Sequence, residues 1–300
     1  MTGNLLNQNF LGLGFKNKLK KIAPVRFNGL VSEKEKRQVF ISFSPQRSGQ
    51  HLILRWLCEN LETIVHYNHC CFQRRNIFFN LTPKNGKRII YNSGRIYENG
   101  WPGIDGMDNK VLNQFELSKF IYSLEDEPLS NPLVRRVIKN EKNISPLIIL
   151  RDPFNWLASL IMKDGESIDN LLRKKESYIQ CLEQALGVVD YLGADTCSIN
   201  YNQFIVDFNY RQNICLKLGV VCLEKAENSL AEIPNFGRGS SFSGVNKDEQ
   251  LLDSVCTRWV GMQSNVIYRR LLDDEKLLSL TDQFFGDLSY YYEIKNKLNF

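Results

Sequence analysis

Two stretches constrain this chain more than any others: VFISF (39–43) and PLIIL (146–150). Each is a short, unbroken run of aliphatic, β-branched and aromatic residues, the pattern of a strand buried on both faces of a parallel sheet. Each also leads at once to an arginine and a helix start. VFISF continues through Ser-Pro-Gln-Arg47-Ser-Gly into a segment predicted helical from about Ser48 to Leu61, with Leu52, Ile53, Trp56 and Leu57 at helical spacing. PLIIL ends directly on Arg151-Asp152-Pro153, and Pro153 suits the first turn of a helix running through Trp156 to Met162. A strand, a turn with a cation and a helix N-terminus make a seat for an anion. In a parallel sheet both arginines would lie at strand carboxyl ends, where pockets form.

The rest of the chain repeats the alternation. Short strands are expected at TIVHY (63–67), RIIY (88–91), FIYSL (119–123) and CSINY (197–201). Helices are expected over 166–191, over 202–218 ending at Gly219, and over roughly 248–270 and 273–285. A Gly- and Asn-rich loop at 92–114 and a Gly/Ser loop at 234–247 punctuate the pattern. Strands alternating with helices predict an α/β fold with helices on both faces of a mainly parallel sheet. Residues 1–37 read as a basic lead-in closing on the charge run EKEKR, and 38–300 as one domain.

Composition narrows the function. A net charge of +5 suits a phosphorylated or acidic ligand, but it falls well short of a nucleic-acid-binding protein, and no aromatic-basic patch is present. The eight cysteines are scattered with no C-x-x-C pair, so zinc or another metal is not expected. Buried reduced thiols point to the cytoplasm. No run of 18 apolar residues exists for a transmembrane helix. The N-terminus has the wrong residue order for a secretory signal and leaves room only for weak membrane-surface contact through Phe10, Leu11, Leu13 and Phe15.

PQRSG (45–49) is no Walker A motif, because the only Gly-Lys pair, Gly86-Lys87, is followed by Arg88. It is a shorter loop in which Gly49 admits an oxyanion close to the backbone, amides of residues 48–51 leave the helix start, and Arg47 adds a charge. Ser159 lies eight residues after Arg151, about two turns into its helix, facing back to the strand end. Taken singly, either arginine serves equally well as a partner for a nearby carboxylate, Asp152 in the second case.

Taken together, the two stretches resemble the sulfotransferases that use 3′-phosphoadenosine-5′-phosphosulfate (PAPS). In that family a P-[KR]-S-G-T-T-like loop holds the 5′-phosphosulfate, and a later strand-borne Arg with a Ser eight residues on holds the 3′-phosphate. Arg47, Ser48 and Gly49 match the first element, and Arg151 and Ser159 the second. INYNQFIVDFNYRQNICLKLGV is similar to the family's stretch in which a strand-borne Tyr leads into a helix closing on Leu-Gly. FGRGSSFSG resembles its C-terminal phosphate loop, which would give Arg238 and Gly239 that role. The likeness covers about residues 38–285. Where the family has Thr-Thr after the glycine this chain has Gln50-His51, and Leu52 replaces the aromatic that can follow, as in a divergent, microbial-type branch.

The resemblance implies a three-layer α/β/α sulfotransferase fold of the P-loop nucleoside-triphosphate-hydrolase type. It also implies PAPS as donor, its desulfated product adenosine 3′,5′-bisphosphate, and a small-molecule, lipid or glycan acceptor with a hydroxyl or amine. Gln50 and His51 would join the cofactor contacts. The family's base, a His or Glu, follows the strand before the Arg-Ser element. Here FIYSLEDEPL offers Glu125, with Asp126, His66 and His69 in reserve. Two other classes remain open on the residues alone: a nucleotide-dependent kinase, which lacks its lysine, and a non-catalytic nucleotide binder.

Overall fold

The computed structural model describes residues 38–61, 64–72, 80–84, 88–96, 119–140, 143–164, 167–231, 256–286 and 296–297. Among the described residues seven strands form one sheet: β1 (Gln38–Ser44), β2 (Ile64–Phe72), β3 (Asn80–Lys84), β4 (Arg88–Ile96), β5 (Lys119–Glu125), β6 (Ile144–Leu150) and β7 (Cys197–Asn200). Their order is β3-β4-β2-β5-β1-β6-β7. Every neighbouring pair is parallel except the edge pair β3–β4.

β1 lies between β5 and β6, with Ser42 in register with both Ser123 and Leu147. Being central, it is covered on both faces, which is why its sequence is a continuous apolar run rather than an alternating one. The alternation reappears in what each side chain touches. Ile41 and Phe43, with Phe120, Tyr122, Ile148 and Leu150, face a core closed by α3 (Pro153–Asp164), α4 (Ile168–Ala185), α8 (Val266–Leu272) and α9 (Glu275–Phe285). Phe40, Ile121, Leu147, Ile149 and Ile199 face a second core closed by α1 (Gln50–Asn60), α5 (Tyr201–Val206), α6 (Phe208–Leu218) and α7 (Glu224–Asn228). Helix, sheet, helix: this is the three-layer architecture expected from the sequence.

Several boundaries differ from the sequence reading. β2 continues to Phe72, and β4 runs through Ile96, into the stretch expected as loop. The helix expected over 202–218 is two helices, because Asp207 takes an extended conformation (φ −114°, ψ 108°) and its carboxylate caps the Tyr210 amide of α6. Helix α2 (Pro132–Asn140) was not expected. The segment expected as a helix over 248–270 contains, among its described residues, a 3₁₀ turn at Arg258–Met262 and then α8. Residues 1–37, Arg238 and Gly239 lie outside the described residues.

Candidate anion-binding site

The carboxyl ends of β1, β5, β6 and β7 deliver the loop arginine, a carboxylate, a second arginine and a tyrosine to one edge of the sheet. After β1 the backbone turns sharply. Arg47 (φ 71°) and Gly49 (φ 87°) are both left-handed, the Ser48 amide donates to the Pro45 carbonyl at 3.1 Å, and Gly49 caps α1 without any side-chain hydrogen bond. The Ser48 amide is therefore spent. The first-turn amides of α1 that follow it are the ones a ligand can meet. The Ser48 hydroxyl is fully buried yet has no protein partner among the described residues.

β6 leads directly to Arg151, which is only 2% exposed, and its Nε and Nη2 likewise have no hydrogen-bond partner among the described residues. Asp152, the carboxylate beside it in sequence, is engaged elsewhere. It accepts from the Asn155 amide (2.8 Å), from Asn155 Nδ2 (3.0 Å to each oxygen) and from Asn202 Nδ2 (2.8 Å). In this way it caps α3 and ties β6 to α5, leaving Arg151 with no carboxylate partner among the described residues.

Tyr201 joins the two junctions. Its ring lies so close to Gly49 that a Cβ there would sit 2.2 Å from Tyr201 Cε2, and the Arg151 guanidinium carbon is 5.8 Å from the ring centre. Only glycine fits this approach. Burial pushes the phenol up, against the pull of Arg151 and Arg258, so the ring stays neutral.

Arg258, which the sequence reading did not single out, completes the cluster. Its Nη1 donates to Ser159 Oγ at 2.7 Å. Burial, followed by the neighbouring Arg151 and Arg47, pushes its guanidinium down to about 9. An arginine so placed is still charged at neutral pH, and the half-buried Arg47 and Arg258 join the buried Arg151 in a cluster of positive charge that favours an anion. The buried orphan donors of Ser48 and Arg151 fit a ligand rich in acceptor oxygens, such as a phosphorylated nucleotide. No local pattern around CTRWVG marks Arg258; only its spatial proximity to Ser159 does.

Glu125 ends β5, paired in register with Ser44. Its Oε1 accepts from Gln50 Nε2 at 2.5 Å and lies 3.9 Å from His51 Nε2, so both residues after Gly49 contact this carboxylate. The other end of the Gln50 amide accepts from Ser42 Oγ at 3.4 Å. Asp126 instead holds the loop, accepting from the Gln46 amide at 2.8 Å, and burial raises its carboxyl. His66 is fully buried against Ser123 (3.2 Å) and pairs in register with Ile121, four residues before Glu125. That places it roughly 13 Å down the strand from the loop. The His69 side chain lies outside what the structure describes. Among the described residues no three His, Cys, Asp or Glu side chains gather as a metal site, and no helix is long and apolar enough to cross a membrane.

Two solved sulfotransferase structures are similar to this chain. The sulfotransferase domain of the Synechococcus PCC 7002 olefin synthase aligns at 13% identity over 84% of this chain and 95% of that one, with a TM-score of 0.49. Mouse sulfotransferase SULT7A1, solved in complex with PAP, aligns at 14% identity over 82% of this chain and 94% of that one, with a TM-score of 0.38. No protein-family model matches the chain, and no curated protein matches it in sequence. Likeness at this level assigns no residue a role.

Proposed function

We propose that this chain is a PAPS-dependent sulfotransferase acting on a hydroxyl or amine of a small-molecule, lipid or glycan acceptor. One observation carries the reading: two strand–arginine–helix junctions meet across Tyr201, and buried donors at both, Ser48 Oγ and Arg151 Nε and Nη2, have no acceptor among the described residues. One anion would use one junction. A ligand with two separated phosphates uses both.

In this reading Arg47, Ser48, Gly49 and the first amides of α1 hold the 5′-phosphosulfate, with Gln50 and His51 beside them. Arg151, Ser159 and Arg258 hold the 3′-phosphate, and Arg238 and Gly239 are proposed to close over it. PAPS supplies the activated sulfuryl group. Glu125 takes the proton from the acceptor hydroxyl, and its hydrogen bond from Gln50 keeps the carboxylate turned toward the loop. Arg47 neutralises the charge that grows on the departing 5′-phosphate oxygen. Arginines and backbone dipoles supply this charge stabilisation, so the mechanism calls for no metal. The P-loop kinase alternative is disfavoured where its lysine would stand: Gln50 follows Gly49, with its amide bound to Glu125. Free buried thiols at Cys58, Cys181, Cys197 and Cys215 support a reducing, cytoplasmic setting.

Thermal unfolding with added nucleotide tests the reading. Adenosine 3′,5′-bisphosphate at about 100 times its Kd should stabilise the fold by roughly 2.7 kcal/mol. AMP and ATP at the same concentration should give much less. Equal gains from all three would remove the 3′-phosphate seat and favour the kinase.

A further inference from the structure

Gln46, the residue before Arg47, is gripped at three points by three different elements. Its amide donates to Asp126 Oδ1 (2.8 Å) just past β5, its carbonyl accepts from Trp156 Nε1 (2.7 Å) on α3, and its side-chain oxygen accepts from Lys174 Nζ (2.5 Å) on α4. Lys174 is 4% exposed and also lies 3.5 Å from Asp126 Oδ2, which closes the ring of contacts. A non-glycine residue at φ 71°, such as Arg47, persists in a left-handed conformation only where its surroundings over-determine it. The grip on Gln46 provides that constraint.

The same helix reaches the other junction. Tyr178, one turn after Lys174, donates its hydroxyl to the Arg151 carbonyl at 2.7 Å. Its ring stacks on Trp156 at 4.3 Å and 18°, the same indole that holds the Gln46 carbonyl. Lys174 and Tyr178 thus bind the residue before one arginine and the backbone of the other from a single rigid helix, and the stacked Trp156–Tyr178 pair braces the two contacts against each other. Trp156, Lys174 and Tyr178 are buried, and none of them belongs to the proposed contacts with nucleotide or acceptor.

We infer that Lys174 and Tyr178 are positioning residues: α4 is a strut that sets the spacing of Arg47 and Arg151, and so selects ligands whose two phosphates match it. This rests on the sulfotransferase reading and adds a specificity device to it. A strut between two seats acts only on a ligand that fills both. Its loss should leave a ligand that fills one seat almost unaffected, whereas general loosening of the fold would weaken both kinds of ligand alike.

The test is calorimetric binding of adenosine 3′,5′-bisphosphate, adenosine 5′-monophosphate and adenosine 3′-monophosphate to the full chain. Wild type, Lys174→Met and Tyr178→Phe are compared. Tyr178→Phe keeps the stack on Trp156 and removes only the hydroxyl, so it carries the comparison alone if Lys174→Met does not fold. Each variant should bind the bisphosphate about tenfold more weakly while its affinity for either monophosphate changes less than twofold. Parallel losses for all three ligands, or no loss for any, overturn the strut and leave the sulfotransferase reading standing. A wild type that does not prefer the bisphosphate to both monophosphates overturns the reading itself, and the strut with it.

Discussion

At the end of β1 the chain doubles back through two left-handed residues, Arg47 and Gly49, before α1 begins. At the end of β6 it runs straight from Arg151 through Asp152 into Pro153 and α3. The first junction has no side-chain cap on its helix, and its geometry is imposed from outside through Gln46. The second is capped from within by Asp152, whose carboxylate is satisfied by Asn155 and Asn202. An open cap with an arginine on a strained turn suits a phosphate whose charge changes during reaction. A closed cap with a buried, unpaired arginine suits one whose charge stays fixed. On the proposed function, two stretches that look like copies in sequence would divide into a reactive seat and an anchoring seat.

That division can be broken most directly at the arginines. Arg47→Ala should lower kcat about 10²–10³-fold, because its contact strengthens only as the S–O bond breaks. Arg151→Ala should leave kcat nearly intact and raise KM for PAPS about ten- to a hundredfold, the worth of a lost charge-assisted contact. Steady-state kinetics on both variants decides the matter; the same kcat-to-KM pattern in each would mean the seats are not distinct.

The caps give the next effect. Asp152→Ala should destabilise the fold by about 1–3 kcal/mol, since the buried Asn155 and Asn202 amides lose their acceptor. Its counterpart Asp126→Asn keeps an acceptor for the Gln46 amide and removes a buried charge, so it should cost far less in urea unfolding. Burial raises the Asp126 carboxyl above its ordinary value. Its contribution to stability is therefore present at low pH and fades as pH rises through the raised value, opposite to a salt-bridged carboxylate. Asp126→Asn should flatten that part of the pH profile.

Gly49 can be set against Gly219, the left-handed glycine that ends α6. Gly49→Ala meets both a left-handed backbone, costing about 1–2 kcal/mol, and the Tyr201 ring. Gly219→Ala, at φ 63° with no neighbouring atom within 4 Å, meets the backbone cost alone. Thermal unfolding of both variants isolates what the Tyr201 contact demands.

Much of this was legible in VFISF and PLIIL, because central parallel strands bury both faces and so are written as unbroken apolar runs. The positions of the two arginines just past their strands, and of Glu125 at the end of FIYSL, could be read in advance. What was not legible is whatever depends on chain segments far apart in sequence. Nothing local marks Tyr201 as the bridge between Gly49 and Arg151. Nothing around Lys174 announces that it reaches Gln46, 128 residues away. The break at Asp207 was hidden for a different reason: the flanking residues carry an apolar stripe at helical spacing, and a single Asp reads as surface until its backbone is seen to be extended.

Arg258 allows the smallest and most discriminating test of the comparison. It sits beside Ser159 in the anchoring seat and is pushed down by burial, by Arg151 and by Arg47. In the absence of ligand its charge should therefore work against the fold. Arg258→Met keeps the apolar stem and removes that charge. Heavily discounted for solvent screening, the ligand-free protein should gain on the order of 1 kcal/mol. Binding should move the other way, with the bisphosphate weakened several-fold and adenosine 5′-monophosphate, which fills only the reactive seat, hardly affected. Opposite signs for stability and affinity are the mark of a cation held in place for a ligand. If Arg258→Met instead lowers apo stability and leaves bisphosphate affinity unchanged, Arg258 is a structural partner of Ser159, and Arg151 is the one described arginine left to the anchoring seat.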